Sequence, residues 1–579
     1  MHRHGMRDWI LLCAVIGSAW VKWCVGLGSY SGQYTPPMFG DYEAQRHWME
    51  ITVHLPIRQW YTYDLQYWGL DYPPVTAYVS WICGFIGSLI NPTWFVLDKS
   101  RGIESEGSKV FMRATVLMLD HIVYVPALWM FTRVWHAGRS RRTQNLAFLT
   151  LLLQPALLLV DFGHFQYNSV MLGFTLLAVN FFIAGQDLLG AFFFVLSLCF
   201  KQMALYYAPA VGSYLIGKCL YLGPKDGLQL FIRLAIVTSI SFLILFLPFL
   251  PPFAPISTIL DPITRIFPFD RGIFEDKVAN FWCASNVVIK WKFWASRNTL
   301  VRISTLLTAV GFVPAAVAPV RAWLRLRGEE PAEGEAKGNK TVPAPQVIHP
   351  VLLHALLSSA MSFFLFSFQV HEKTILLPLM PLSLLLSGAA QGSTAFKMGA
   401  LVNNVAVFSM WPLLSRDGQA VQYIALLLLW NRFIGHNPFR IRKAELLDLF
   451  TLGVYAACFA LHILEFVFLP PARYPDLFPV LNVLISTPIF VLTWLWSMKS
   501  LIEARWTVGG LGLGTRSRRP SMSDKGHSDV QTPATEDGIA PMISRGIGRE
   551  FGLRAQSLGY RSGKRRAPVS RAASVGFAD

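Results

Sequence analysis

The stretch LFIRLAIVTSISFLILFLPFL, residues 230–250, carries one charged side chain, Arg233, among its 21 residues. Wound as a helix at 1.5 Å per residue, it covers about 30 Å, the thickness of a bilayer's hydrocarbon core. A second run, LFPVLNVLISTPIFVLTWLW at residues 477–496, repeats the pattern with no charge at all. Hydrocarbon offers no water to backbone N–H and C=O groups, so such runs cross as helices that satisfy their own hydrogen bonds. The fold class they imply is all-α, a polytopic membrane helix bundle. The remaining composition agrees: of 579 residues 53% are hydrophobic and 15% charged, and the mean hydropathy is +0.42. That is too little charge to solvate a soluble protein of this length. The 19 tryptophans suit rings at a lipid–water boundary.

The formal net charge of +17 raises the question of nucleic acid. The basic residues form no single stripe, however. They lie between apolar runs and in the tail, as topology-setting charges do, so membrane lipid is the expected partner and nucleic acid is not. The cysteines at 13, 24, 199, 219 and 458 sit inside apolar runs. They have no metal-ligand spacing and imply no disulfide framework. Met1 to Arg7 is polar and basic, and the run from Trp9 to Gly26 lacks a small-residue cleavage site, which reads as an uncleaved signal anchor.

With the basic start on the cytosolic side, residues 27–112 form a first lumenal loop. Val75 to Ile90 is short for a span, opens after Pro73-Pro74 and contains Gly84 and Gly87. Counting it as a crossing would put Arg139, Arg141 and Arg142 in the lumen, so it reads as an amphipathic or re-entrant helix on the lumenal face. Spans are then expected near 9–26, 113–135, 145–161, 169–185, 188–200, 204–221, 228–252, 298–320, 350–368, 374–391, 397–414, 418–433, 449–469 and 477–498, about fourteen in all. Residues 253–297 become a lumenal loop and 321–349 a cytosolic linker that holds the Asn339-Lys340-Thr341 sequon. Residues 1–500 make one transmembrane domain, and 501–579, rich in Ser, Arg and Gly, a basic cytosolic tail expected to be disordered. The cluster in 139–142, the linker cluster (Arg321, Arg325, Arg327, Lys337, Lys340) and Arg432, Arg440, Arg442 and Lys443 all fit this one orientation.

That topology brings the polar motifs to one side. Asp41-Tyr-Glu43, Asp71-Tyr-Pro-Pro74, Gly163-His-Phe-Gln-Tyr-Asn168, Lys201-Gln202, residues 261–282 and His371-Glu-Lys373 all fall at lumenal span ends or in lumenal loops. Polar groups at membrane depth are costly and mark function, so their convergence points to a lumenal active site. Each also has a plain structural reading. Asp41 reads as an N-cap, Glu43 as first-turn dipole compensation and Asp71 as turn chemistry. His164, Gln166 and Asn168 read as partners for a broken helix end, and Arg271, Lys277, His371 and Lys373 as snorkelling cations. Asp120 and Glu465, inside spans, read as helix–helix contacts.

Several of these runs resemble one family. Pro37 to Thr52, Tyr67-Trp-Gly-Leu-Asp-Tyr-Pro-Pro74, Gly163 to Asn168, Arg265-Ile-Phe-Pro-Phe, Phe274 to Cys283 and Phe368-Gln-Val-His-Glu-Lys-Thr374 are similar, in order, to the endoplasmic reticulum dolichyl-phosphate-glucose-dependent α-1,3-glucosyltransferases. Gly40-Asp-Tyr-Glu-Ala-Gln-Arg-His-Trp48 resembles the branch that adds the first glucose more than the branch that adds the second. The resemblance implies a GT-C bundle in the endoplasmic reticulum membrane with a lumenal active site. It also implies a dolichyl phosphate glucose donor and a dolichyl-pyrophosphate-linked high-mannose oligosaccharide as acceptor. It places the catalytic base on Asp41. The substrate-binding set expected around it is Glu43, Arg46, Trp68, Asp71, His164, Gln166, Asn168, Lys201, Arg271, Lys277, His371 and Lys373.

The chemistry of such substrates needs one carboxylate. A sugar hydroxyl must lose its proton to a base within hydrogen-bond reach, while the departing phosphate needs cations rather than a strong acid. Side chains suffice for that neutralisation, so neither a metal on Asp41 and Glu43 nor a cofactor is expected. The rival readings are a polyprenyl-sugar transporter, a GT-C transferase with another acceptor, and a non-catalytic scaffold. The transporter should show internal pseudo-symmetry, which the sequence lacks.

Overall fold

The computed structural model describes residues 9–266, 277–329, 345–368, 370–439 and 445–510, with side chains at all of them but 328, 329, 509 and 510. Arg271, Lys337, Asn339, Lys340, Arg440, Arg442, Lys443 and residues 511–579 of the expected tail lie outside the described residues; the tail's expected start at 501 is instead helical, within Leu477–Gly510, with Leu501 and Ala504 buried against the bundle. Among those described there are helices and turns and no strands.

Each of the expected spans is helical. Eight elements are long and apolar enough to cross a membrane by length and composition: Trp9–Gly26, Glu106–Val134, Arg141–Phe165, Gln202–Phe249, Arg297–Arg327, Gln346–Phe366, Leu446–Val467 and Leu477–Val508. Gln202–Phe249 covers two expected spans because it is not straight. Gly223 takes φ +87° before Pro224, and a Cβ on Gly227 would lie 1.9 Å from the Cys219 carbonyl oxygen, so the chain doubles back there. The other expected spans are shorter helices, including Asn168–Ile183, Asp187–Phe200, Leu376–Gly388, Thr394–Ser409 and Ala420–Ile434. Length alone therefore supports fewer crossings than the about fourteen expected from charge and hydropathy.

His349–Phe366 is buried along most of its length, packed among Ala208–Phe246, Arg297–Glu329 and Leu477–Gly510. Two charge pairs sit inside the bundle: Lys22 with Asp120 at 2.5 Å, and Lys218 with Asp187 at 2.7 Å. The first ties the amino-terminal helix to Glu106–Leu119, and Glu465 accepts from Trp411 Nε1 at 2.6 Å. Asp120 and Glu465 thus serve as the helix–helix contacts expected of them.

Two helices frame the first long loop. We label Asp41–His54 α1 and Pro74–Ile90 α2. Proline at the start of α2 needs no amide partner there. Its small residues Ala77, Ser80, Cys83 and Gly84 are buried, and Gly84 lets α1 approach until a Cβ would meet Met49 O at 2.8 Å. Trp81, Ile82, Phe85, Ile86 and Leu89 face away from the protein, giving the amphipathic character expected of this helix. Ala44, Trp48, Ile51, Trp60, Tyr61, Leu70, Ala77 and Phe249 form a separate apolar core under the loop, which fixes where α1 begins.

Candidate active site

Asp41 is the first residue of α1, and the cap position belongs to Gly40, with no side-chain cap bond. The capping role open to Asp41 in the sequence is therefore not the one it plays. Its amide donates to Ser31 Oγ at 3.1 Å, and its carboxylate turns toward two other segments. Oδ2 accepts from Gln166 Nε2 at 2.5 Å, lies 3.0 Å from His164 Nε2 and pairs with the Lys373 ammonium. Lys373 Nζ is also 3.2 Å from His164 Nε2. Oδ1 takes no hydrogen bond among the described residues, and a quarter of the side chain is exposed. Burial alone would raise the Asp41 pKa, but the Lys373 charge and the His164 contact overcome it and hold the carboxyl well below its ordinary range.

The partners of Asp41 are presented by a break in the helical chain. Leu158–Phe165 winds as a π-helix, and Phe165 then takes φ +89°, a strained conformation for an aromatic residue. Arg113 holds this end by donating to the carbonyls of Phe162 at 2.6 Å and Gly163 at 2.8 Å. On the far side Asp161 accepts from the amides of Asn168 at 3.1 Å and Ser169 at 2.6 Å, and from Asn168 Nδ2 at 2.9 Å. It thereby satisfies orphan donors at the start of Asn168–Ile183. Between these anchors, His164, Gln166 and Asn168 are driven to one side.

Lys201 follows Asp187–Phe200 and is buried. Its Nζ donates to Asn168 Oδ1 at 2.7 Å and Gln166 Oε1 at 3.3 Å, and stands 4.9 Å from the Tyr72 ring centre. Burial and the neighbouring Lys373 pull its pKa down to about 8 against the pull of Asp161, Asp41 and Asp71. Asp41, His164, Gln166, Asn168, Lys201 and Lys373 thus form one connected cluster drawn from four distant segments, with Asp71 in electrostatic range. His371 stands two residues from Lys373, its amide donating to Thr374 Oγ1 at 3.2 Å.

The other expected site residues lie elsewhere. Glu43 and Arg46 belong to a buried network: Arg46 bonds Glu43 at 2.6 and 2.7 Å, Glu50 at 2.7 Å and Ser100 Oγ at 2.7 Å. With Arg46 fully enclosed, this network holds the loop together rather than facing the cluster. Trp68 Nε1 donates to Met38 O at 2.6 Å, bracing the segment just before Asp41. Lys277 pairs at the surface with Asp476 at 2.8 Å.

Two further residues, Asp161 and Asp417, support the cluster from outside the polar motifs of the sequence. Asp161 lies two positions before a motif already singled out, and an acid in an apolar run was the available signal. Asp417 meets His164 Nδ1 from a turn 253 residues away, and Asp-Gly reads only as a turn in sequence. Among the described residues no group of His, Cys, Asp and Glu side chains is arranged to hold a metal ion.

The family described as the ALG6, ALG8 glycosyltransferase family matches residues 18–496. A Saccharomyces cerevisiae protein named dolichyl pyrophosphate Man9GlcNAc2 alpha-1,3-glucosyltransferase is 43% identical over 527 residues, covering 84% of this chain and 90% of the relative. A Schizosaccharomyces pombe protein, named as probably the same enzyme, is 42% identical and covers 85% and 91% of the two chains. The Gallus gallus protein of that name is 39% identical, covering 82% and 93%.

Proposed function

The chain belongs to the ALG6, ALG8 glycosyltransferase family, and we propose on that premise that Asp41 is the base of an inverting glucosyl transfer. The chain is an α-1,3-glucosyltransferase that adds the first glucose to the dolichyl-pyrophosphate-linked Man9GlcNAc2 oligosaccharide in N-glycan precursor assembly. In our reading the donor is dolichyl phosphate glucose, and the site faces the lumen of the endoplasmic reticulum. The observation that carries the reading is the meeting of four remote segments around one ionised carboxylate with a free oxygen.

The acceptor mannose hydroxyl approaches Asp41 Oδ1 and gives up its proton there as its oxygen bonds to the glucose anomeric carbon. The bond from that carbon to the phosphate oxygen breaks on the opposite face, so a β-linked donor yields an α-linked product. The electron pair leaves with dolichyl phosphate, whose added charge is met by Lys373 and Lys201 in a setting where water screens little. Gln166 and His164 keep Asp41 aimed while it changes charge. A carboxylate held well below its ordinary range is a weak base but stays ionised in every free enzyme molecule at neutral pH.

The test is transfer by purified protein from dolichyl phosphate glucose to synthetic lipid-linked Man9GlcNAc2. Asp41→Asn should lower kcat by about 10²- to 10⁴-fold with the protein still folded. Full transfer by Asp41→Asn would end the base assignment. An acceptor already carrying one glucose should not be extended; efficient extension would move the chain to the second branch.

A further inference from the structure

A second carboxylate closes the cluster from behind. Asp417 lies in the turn between helices Trp411–Arg416 and Ala420–Ile434, and its Oδ2 meets His164 Nδ1 on the ring edge away from Asp41. The turn is clamped. Gly418 takes φ +70°, Ser29 Oγ donates to the Asp417 carbonyl, and the Asp417 amide donates to Leu413 O at 3.2 Å. A Cβ on Gly163 would fall 2.0 Å from Gln419 Oε1, so glycine at 163 lets the segment bearing His164 pack closely on the turn bearing Asp417.

Charge then decides what this contact does. The Asp417 side chain is 3% exposed, and its hydrogen bond is to the His164 ring. A carboxylate so dry keeps its charge only beside a cation. The charged groups facing the ring are Asp41, Asp417 and Lys373, with the Arg113 guanidinium held beneath on the Phe162 and Gly163 carbonyls. Lys201 reaches the Asp41 side through Gln166. A carboxylate on each ring nitrogen, Asp41 on one edge and Asp417 on the other, favours an imidazolium at His164.

Resting on the reading of Asp41 as base, we infer that Asp417 is a positioning residue that holds His164 oriented and protonated. His164 then fixes Asp41 Oδ2 and leaves Oδ1 to the acceptor hydroxyl. When Asp41 takes the acceptor's proton, the charge around it becomes one unit more positive as the leaving phosphate becomes one unit more negative. The two changes oppose each other, which favours the transition state over the ground state.

Asp417→Asn keeps an oxygen for the His164 Nδ1 proton and removes the charge. His164 should then become neutral beside Lys373, and Asp41 loses a cationic neighbour. The expected result is a kcat lower by on the order of a hundredfold with donor and acceptor KM little changed. The acid limb of kcat/KM should also move upward by about one pH unit. Asp417→Glu should keep the wild-type limb at reduced kcat, separating charge from placement and serving if the Asn variant does not fold. Adding Asp417→Asn to His164→Gln should cost little more. An unmoved limb in Asp417→Asn, a limb moved equally in Asp417→Glu, or full additivity with His164→Gln would overturn the inference. Failure of the base reading shows differently, as transfer surviving in Asp41→Asn.

Discussion

Lys201 gives the reading a pH signature. Its ammonium is buried on Asn168 and Gln166, above the Tyr72 ring, with a pKa of about 8. A lysine lowered this far is charged below that value and loses its proton as pH rises through it. On that titration about nine-tenths of the molecules carry the charge at pH 7 and about one-tenth at pH 9. If the charged form is what receives the donor phosphate, kcat/KM for dolichyl phosphate glucose should fall about tenfold over this interval. Lys201→Arg stays protonated throughout and should abolish the limb, though its larger planar head fits the ammonium's place less well and lowers the plateau. Lys201→Met should give a flat profile, lower at pH 7 by roughly 10- to 150-fold, the worth of a charge-assisted hydrogen bond of about 1.5–3 kcal/mol. Initial rates with limiting donor in detergent or nanodiscs at constant ionic strength measure all three. An equal fall that persists in Lys201→Arg would refute the assignment of the limb to Lys201.

Three further outcomes bear on other parts of the site. Lys373→Met should lower kcat by about 10²-fold or more and bring the acid limb up toward the ordinary carboxylate range, because Lys373 is the strongest force lowering Asp41; the pH–rate profile measures it. Arg46→Ala leaves Glu43 and Glu50 buried without their cation, so it should cost about 3–5 kcal/mol in stability, read as a lower thermal midpoint. Gly163→Ala forces Gln419 aside and should cost about 1–3 kcal/mol; it should also lower kcat with little change in either KM, since the shift reaches His164 through the interlocked turn.

Arg46 shows where sequence reading and structure part. In the chain it stands three residues after Glu43 inside a motif that resembles the family's, and that places it near Asp41. Helical spacing instead turns it toward Glu43 and Glu50 on one face of α1, where the apolar core of the loop encloses all three. Lys373 shows the opposite. Read alone it passes for a snorkelling interface cation, and the folded chain sets it on Asp41. Gln166 and Asn168 were legible because polar groups in a broken helix at membrane depth need a reason to be there. Asp417 was not, because nothing in an Asp-Gly pair tells which distant ring it will meet.

Apolar run length, the placing of basic residues and the family motifs sufficed by themselves for a helical membrane enzyme and for singling out Asp41 as the candidate base. Those properties are local or additive along the chain: a run is long enough to cross or it is not, and a charge is cheap in water or costly in lipid. Only the tertiary structure decided which cations reach that carboxylate, that Arg46 is spent on holding the loop, and that Asp417 stands behind His164. Those facts turn on distances between residues hundreds of positions apart, set by how helices pack and where backbones break.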